Sequence, residues 1–97
     1  MEKGFYLDAN IFVFAYCNDD QFGIKSREIL NLVINNKIMA YTSVLTFDEM
    51  FYQVKKLKGY EKALVASDSF INLRNLKFIS IDLTIINYSY SLLKRYN

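Results

Sequence analysis

With 97 residues the chain holds one domain at most, and an apolar share of 53% with 16% aromatics can build a core, which excludes a disordered tail. Twelve Lys and Arg against ten Asp and Glu leave a formal charge of +2, too mild by itself to announce a nucleic-acid partner. The absence of His and the single Cys exclude Ser–His triads, imidazole bases, His-ligated zinc and an intramolecular disulfide, so hydrolytic chemistry falls to carboxylates, hydroxyls or a metal with oxygen ligands.

The start, MEKGFYLDAN, has an acid at position 2 and Asp8 inside its apolar part, so it does not read as a signal peptide. No apolar run reaches the ~18 residues of a membrane span. The chain reads as soluble and cytoplasmic, and its lone Cys17 fits a reducing compartment.

The first predicted strand is GFYLD, residues 4–8, short and rich in aromatics. An apolar helix follows over 10–17, and then a polar break, NDDQFG, whose Asp19 and Asp20 read as solvated loop. A helix over 24–35 places Ile29, Leu30, Val33 and Ile34 on one face. The second strand is KIMAYTS, 37–43. After it comes a helix over 44–57 in which Val44, Phe47, Phe51 and Val54 recur at helical spacing and Glu49 lies off that line. Gly59 breaks the pattern, which resumes over 60–74 with Ala63, Ala66, Phe70 and Leu73. KFISID, 77–82, is the third strand, and Leu83, Ile86, Tyr90 and Leu93 predict a last helix from 83 to about 96.

Each strand ends in a residue able to cap the next helix: Asp8, Ser43 and Asp82. The order βααβααβα requires crossover connections and so an α/β fold with a parallel sheet. With no Pro and three Gly there is no linker and no Gly-rich phosphate loop, which sets Rossmann and P-loop folds aside.

In parallel α/β sheets, ligands sit outside the carboxyl ends of the strands. Asp8 ends the first strand, and Glu49 lies on the second turn of the helix leaving the second. If those strands are neighbours, ~4.8 Å apart, Glu49 can converge on Asp8. Two carboxylates without a cationic partner repel each other, and a divalent cation is the usual relief. Plainer readings stand beside this one. Asp8 can be a helix cap with Asn10 in the first turn, Ser43 and Asp82 read as caps, and Thr46 is a hydroxyl inside its helix. Glu49 and its neighbour Asp48 can both be surface residues, and spacing alone does not choose between them. Lys55, Lys56, Lys58 and Lys62 form either a solvated helix end or a phosphate-facing rim that binds RNA. Cys17 reads as a small buried thiol, since no His is there to activate it.

The stretch YLDANIFVFAY resembles the opening motif of PIN domains, a strand ending in Asp, a small residue and Asn before an apolar helix. AYTSVLTFDEM resembles their second motif, a strand and a Ser or Thr followed six positions later by an acid on an apolar helix. NLRNLKFISIDLTIINYSYSLLKRY resembles the third strand and the helix after it, so the likeness runs through the whole chain in order. The resemblance implies a three-layer α/β/α domain over 1–97 with strand order 3-2-1. It also implies a metal-dependent endoribonuclease like the VapC toxins of prokaryotic toxin–antitoxin pairs. Asp8 and Glu49 would be its catalytic, metal-binding acids, holding Mg2+ or Mn2+, with Asn10 and Ser43 as supporting polar residues. RNA would be the substrate, an antitoxin protein a partner, and a homodimer the assembly. The resemblance selects Glu49 over Asp48.

In that family a third acid follows the helix that YSYSLLKRYN begins, and a fourth ligand follows a further strand. The sequence ends before both, so it reads as the first two-thirds of a PIN domain with half its acids, weakly active or inactive alone. The strand edge FYLD, left open, predicts association, most simply a symmetric homodimer. Two readings belong to other classes. A non-catalytic PIN-like binding or regulatory remnant would keep the fold without the metal. A small phosphotransfer or phosphatase domain also ends its first strand in Asp, but usually wants an acid two residues later, where this chain has Asn10.

Overall fold

The computed structural model describes residues 4–80. Three strands, β1 (Phe5–Tyr6), β2 (Ala40–Thr42) and β3 (Leu76–Phe78), alternate with helices α1 (Ala9–Cys17), α2 (Gln21–Ile34), α3 (Val44–Lys58) and α4 (Tyr60–Ile71). The sheet runs β1-β2-β3 and is parallel throughout, in the expected order. Both crossovers step the same way across it, so right-handed connections put both helix pairs on one face. There α1 packs on α2 and α3, and α3 packs on α4. The helix expected over 83–96 and the cap expected at Asp82 lie outside the described residues. Among the described residues, no helix is long and apolar enough to cross a membrane.

Element boundaries follow local hydrogen bonding more than apolar spacing. Asp20, read above as solvated loop, is the N-cap of α2: its Oδ1 accepts from the backbone N–H groups of Phe22 (3.1 Å) and Gly23 (3.2 Å). That cap starts α2 at Gln21, three residues before the apolar pattern does. The helix then seats tightly on the end of α1. A Cβ at Gly23 would overlap the backbone carbonyl of Asn18, and Arg27 Nη1 donates to the carbonyls of Ala15 (2.9 Å) and Asn18 (2.8 Å). A guanidinium is well suited to the unpaired carbonyls and negative end of a helix. Gly59, with φ of 96°, takes the left-handed break between α3 and α4 that a Cβ would strain.

The buried face of α3 is rotated from the expected line. Thr46, Met50 and Val54 point inward, Phe47 and Phe51 flank them, and Val44 is exposed. The core gathers where α1, α3 and α4 meet the sheet, with Val33, Ala40, Val54 and Ala63 sealed from solvent. Phe70 lies at its centre, with ring centroids 4.4 Å from Phe12 of α1, 5.6 Å from Phe47 of α3 and 5.5 Å from Phe78 of β3.

Candidate carboxylate site at the sheet edge

The carboxyl ends of β1 and β2 are tied together before either helix begins. The Leu7 N–H donates to the Tyr41 carbonyl at 2.8 Å, and the buried Thr42 hydroxyl donates to the Leu7 carbonyl at 3.1 Å. One residue past each clasp the chain turns into a helix, with Asp8 at the start of α1 and Ser43 at the start of α3. Because α1 and α3 leave neighbouring strands and pack together, their first turns enclose an open cleft of about 320 Å3 lined by Asp8, Ala9, Asn10, Leu45, Thr46 and Glu49. The structure therefore brings Asp8, Asn10 and Glu49 together, and Asp48 does not line the cleft.

Asp8 both caps α1 and lines the cleft. Its Oδ1 accepts from the Asn10 backbone N–H at 3.1 Å, a cap on α1, while the side chain is exposed in the cleft. Glu49 is also exposed, and its Oε1 accepts from Gln53 Nε2 at 3.1 Å. The lining holds two carboxylates and no Lys or Arg.

Ser43 corrects its expected role as a cap. It stands at the N-cap position of α3 but makes no cap bond, and its fully buried hydroxyl is instead hydrogen-bonded to Tyr6 Oη at 2.7 Å. The same Tyr6 Oη is bonded to Thr46 Oγ1 at 2.9 Å. Thr46, read above as a hydroxyl inside its helix, lines the cleft, and Tyr6 carries no local motif that marks it. The available signal was strand alternation, which sets Tyr6 two residues before Asp8 on the same side of the strand.

The four lysines sit at the α3–α4 corner. Lys55, Lys56 and Lys58 occupy the last turn of α3, complementing its negative end. Lys62 follows on α4, and Lys55 Nζ lies 5.9 Å from the centroid of the Tyr60 ring. At ~1.5 Å per residue, Lys55 to Lys58 are about 9 to 14 Å beyond Glu49 along the α3 axis.

Cys17 ends α1 half-buried, and burial pushes its thiol above the ordinary pKa, with the Lys58 ammonium pulling the other way. A raised pKa leaves less thiolate at a given pH. Iodoacetamide at pH 8 should therefore alkylate Cys17 more slowly in the folded protein than in urea. Equal rates would show that the site is open and its thiol unshifted.

The cleft's donors are all hard oxygens: the two carboxylates, the Asn10 amide oxygen and the Thr46 hydroxyl. Among the described residues no three of His, Cys, Asp and Glu cluster as a metal cage. Mg2+ commonly takes only one or two carboxylates and keeps several waters, so an open cleft with two acids suits it, or Mn2+, and would not suit a thiolate- or imidazole-seeking ion.

A comparison with curated protein sequences finds no match. Among solved structures, the chain is similar to the crystal structure of VapC20 from Mycobacterium tuberculosis, described as a sarcin-ricin loop cleaving toxin. The TM-score is 0.66 at 13% identity, over 97% of this chain and 69% of that one. At that identity the likeness is one of fold. The family model of the PIN domain matches residues 5–97, and on that match the chain belongs to the PIN domain family.

Proposed function

We propose that the protein is a metal-dependent endoribonuclease of the VapC toxin type, in which Asp8 and Glu49 hold Mg2+ or Mn2+ for hydrolysis of RNA phosphodiesters. The observation that supports the reading is that Asp8 and Glu49 line one cleft at the carboxyl edge of a parallel sheet. PIN family membership and the fold shared with an RNA-cleaving toxin support it.

When bound, the cation supplies charge stabilisation at the phosphate and an acidified water. The chain's own residues do the rest. Asp8 and Glu49 would hold the cation through their carboxylate oxygens. The Asn10 amide would be available to hydrogen-bond the cation's waters or the phosphate, while the Thr46 hydroxyl is engaged with Tyr6. The first turn of α1, which lines the cleft, would add a positive dipole end for a bound phosphate. Ser43 acts from behind the cleft through its bond to Tyr6.

Single-stranded RNA should be cleaved in millimolar Mn2+ or Mg2+ and left intact in EDTA, and Glu49→Gln should reduce cleavage to the EDTA level. Weak turnover is expected, because two acids bind Mg2+ loosely. Metal-independent RNA binding without cleavage would favour the non-catalytic PIN-like reading instead.

Lys55, Lys56, Lys58 and Lys62 form the proposed RNA rim. The Lys55→Glu/Lys58→Glu variant should bind single-stranded RNA more weakly and lower the salt slope by about 1 to 2, near 0.7 per phosphate contact. Binding that ignores both salt and the substitutions would make the cluster a solvated helix end.

An antitoxin protein is the proposed partner and the cytoplasm the proposed site of action, supported by the toxin-like fold and the unpaired Cys17. The proposed assembly is a homodimer, supported by β1, which pairs only with β2 among the described residues, and by its exposed Phe5 and Tyr6. Sedimentation at micromolar concentration checks it, and a purely monomeric boundary would contradict it.

A further inference from the structure

We propose that Tyr6 is a positioning residue for the Asp8–Glu49 cleft, acting through the hydrogen bonds of its hydroxyl to Ser43 and Thr46. This rests on the metal-site reading above.

The pointer is a Ser that declines its local bond. At an N-cap, Ser ordinarily accepts from a first-turn N–H, yet Ser43 makes no such bond and gives its buried hydroxyl to a phenol thirty-seven residues away. Thr46, 6% exposed, turns to the same phenol. Two buried hydroxyls of the α3 start thus converge on one oxygen carried by β1. Each hydroxyl has a single proton, so the three groups form one coupled network whose rotors are set together. Thr46 is also β-branched, so fixing its Oγ1 fixes χ1 and with it the face it presents to the cleft.

The network joins the two elements that carry the two acids. Tyr6 stands two residues before Asp8 on the same chain segment. Thr46 stands one helical turn before Glu49, on the same side of α3, and both line the cleft. The Thr42 hydroxyl bond to the Leu7 carbonyl fixes the strand ends, and among the described residues the Tyr6 bonds are the hydrogen bonds that reach from β1 into the first turn of α3. The Tyr6 bridge ties the first turn of α3 to β1, and so fixes the distance between the segment that carries Asp8 and the helix that carries Glu49. Mutual placement of the acids, and so affinity for a shared cation, depends on a phenol that does not itself line the cleft.

The test is calorimetric titration with Mn2+, well below the melting midpoint of each variant. Groups that orient metal ligands from behind typically contribute 10- to 100-fold to affinity, and one acting through a further side chain belongs at the lower end. Tyr6→Phe and Thr46→Val should each weaken Mn2+ binding about tenfold. Tyr6→Phe removes both bonds of the phenol and Thr46→Val only the one they share, so the double variant should be no weaker than Tyr6→Phe alone. Thr46→Ser, which keeps the hydroxyl, should stay within about twofold of wild type. In RNA cleavage the loss should appear in kcat, with KM unchanged. Tyr6→Phe binding Mn2+ like wild type, while Asp8→Asn does not bind, would overturn the role of Tyr6 and leave the metal site standing. Additive losses in the double variant would also overturn it. Failure of the wild-type protein to bind Mn2+ would overturn both the positioning role and the site.

Discussion

Replacing Asp8 with Asn is expected to weaken Mn2+ binding by at least about 30-fold while leaving the fold intact, because cation affinity in oxygen sites is tuned over decades by the number of charged ligands. The substitution separates the two positions that Asp8 occupies at once. As a cap, its Oδ1 accepts the Asn10 N–H at 3.1 Å, and an Asn oxygen does that equally well, since Asn and Asp rank together at N-caps. As a ligand, it contributes one of two negative charges in the cleft, which Asn lacks. Asp8→Ala loses both, and the lost cap costs about 1 kcal/mol, or roughly 4 to 8 °C in a domain of this size. Metal titration with thermal melting of both variants distinguishes the roles. An Asp8→Asn protein with unchanged Mn2+ affinity would leave Asp8 as a helix cap and nothing more.

Phe70→Ala should be the most damaging single change to the fold, costing about 3 to 5 kcal/mol. Phe70 is 3% exposed, and its ring meets Phe12, Phe47 and Phe78, so it joins α4 to α1, α3 and β3 at one point. Truncation removes its transfer energy and leaves a cavity walled by three other aromatic rings, which are too large to close over it without moving their helices. Set against a total stability of about 5 to 15 kcal/mol, that loss leaves the domain at the edge of unfolding. Urea denaturation checks it: the midpoint should fall sharply with little change in slope. A loss under about 1.5 kcal/mol would mean that the aromatic cluster is not the centre of the core.

Much of this architecture is legible in the sequence, because it depends on local periodicity and on the chain's need for crossovers. Short β-like runs separated by pairs of amphipathic helices leave a parallel sheet as the outcome, and a parallel sheet directs attention to the residues at its carboxyl edge. That step places Asp8 beside the helix that carries Glu49. It also leaves the choice between Glu49 and Asp48 open, because neighbours on a helix differ by 100° of rotation and the rotation of α3 is a tertiary quantity. Its apolar residues suggest a buried line through Val44, Phe47, Phe51 and Val54, whereas packing keeps Val54 and otherwise selects Thr46 and Met50. Val44 is left exposed at the mouth of α3. Asp20 is hidden for a related reason: its neighbours Asn18, Asp19 and Gln21 look like a polar loop, and the cap is recognisable only once the N–H groups of Phe22 and Gly23 point at it. The Tyr6 bridge lies further still from local pattern. Its partners are thirty-seven and forty residues away, and nothing in the spacing of Tyr, Ser and Thr announces that they meet.

The paired-carboxylate site is tested most directly by anomalous diffraction at the manganese edge from crystals of the wild-type protein soaked in Mn2+. The expected result is one strong peak at the sheet edge, within coordinating distance, about 2.1 Å, of a carboxylate oxygen from Asp8 and one from Glu49. The peak should vanish in Asp8→Asn crystals soaked in the same way. An empty cleft in the wild-type crystals, or a peak that touches Asp48 and not Glu49, would contradict it.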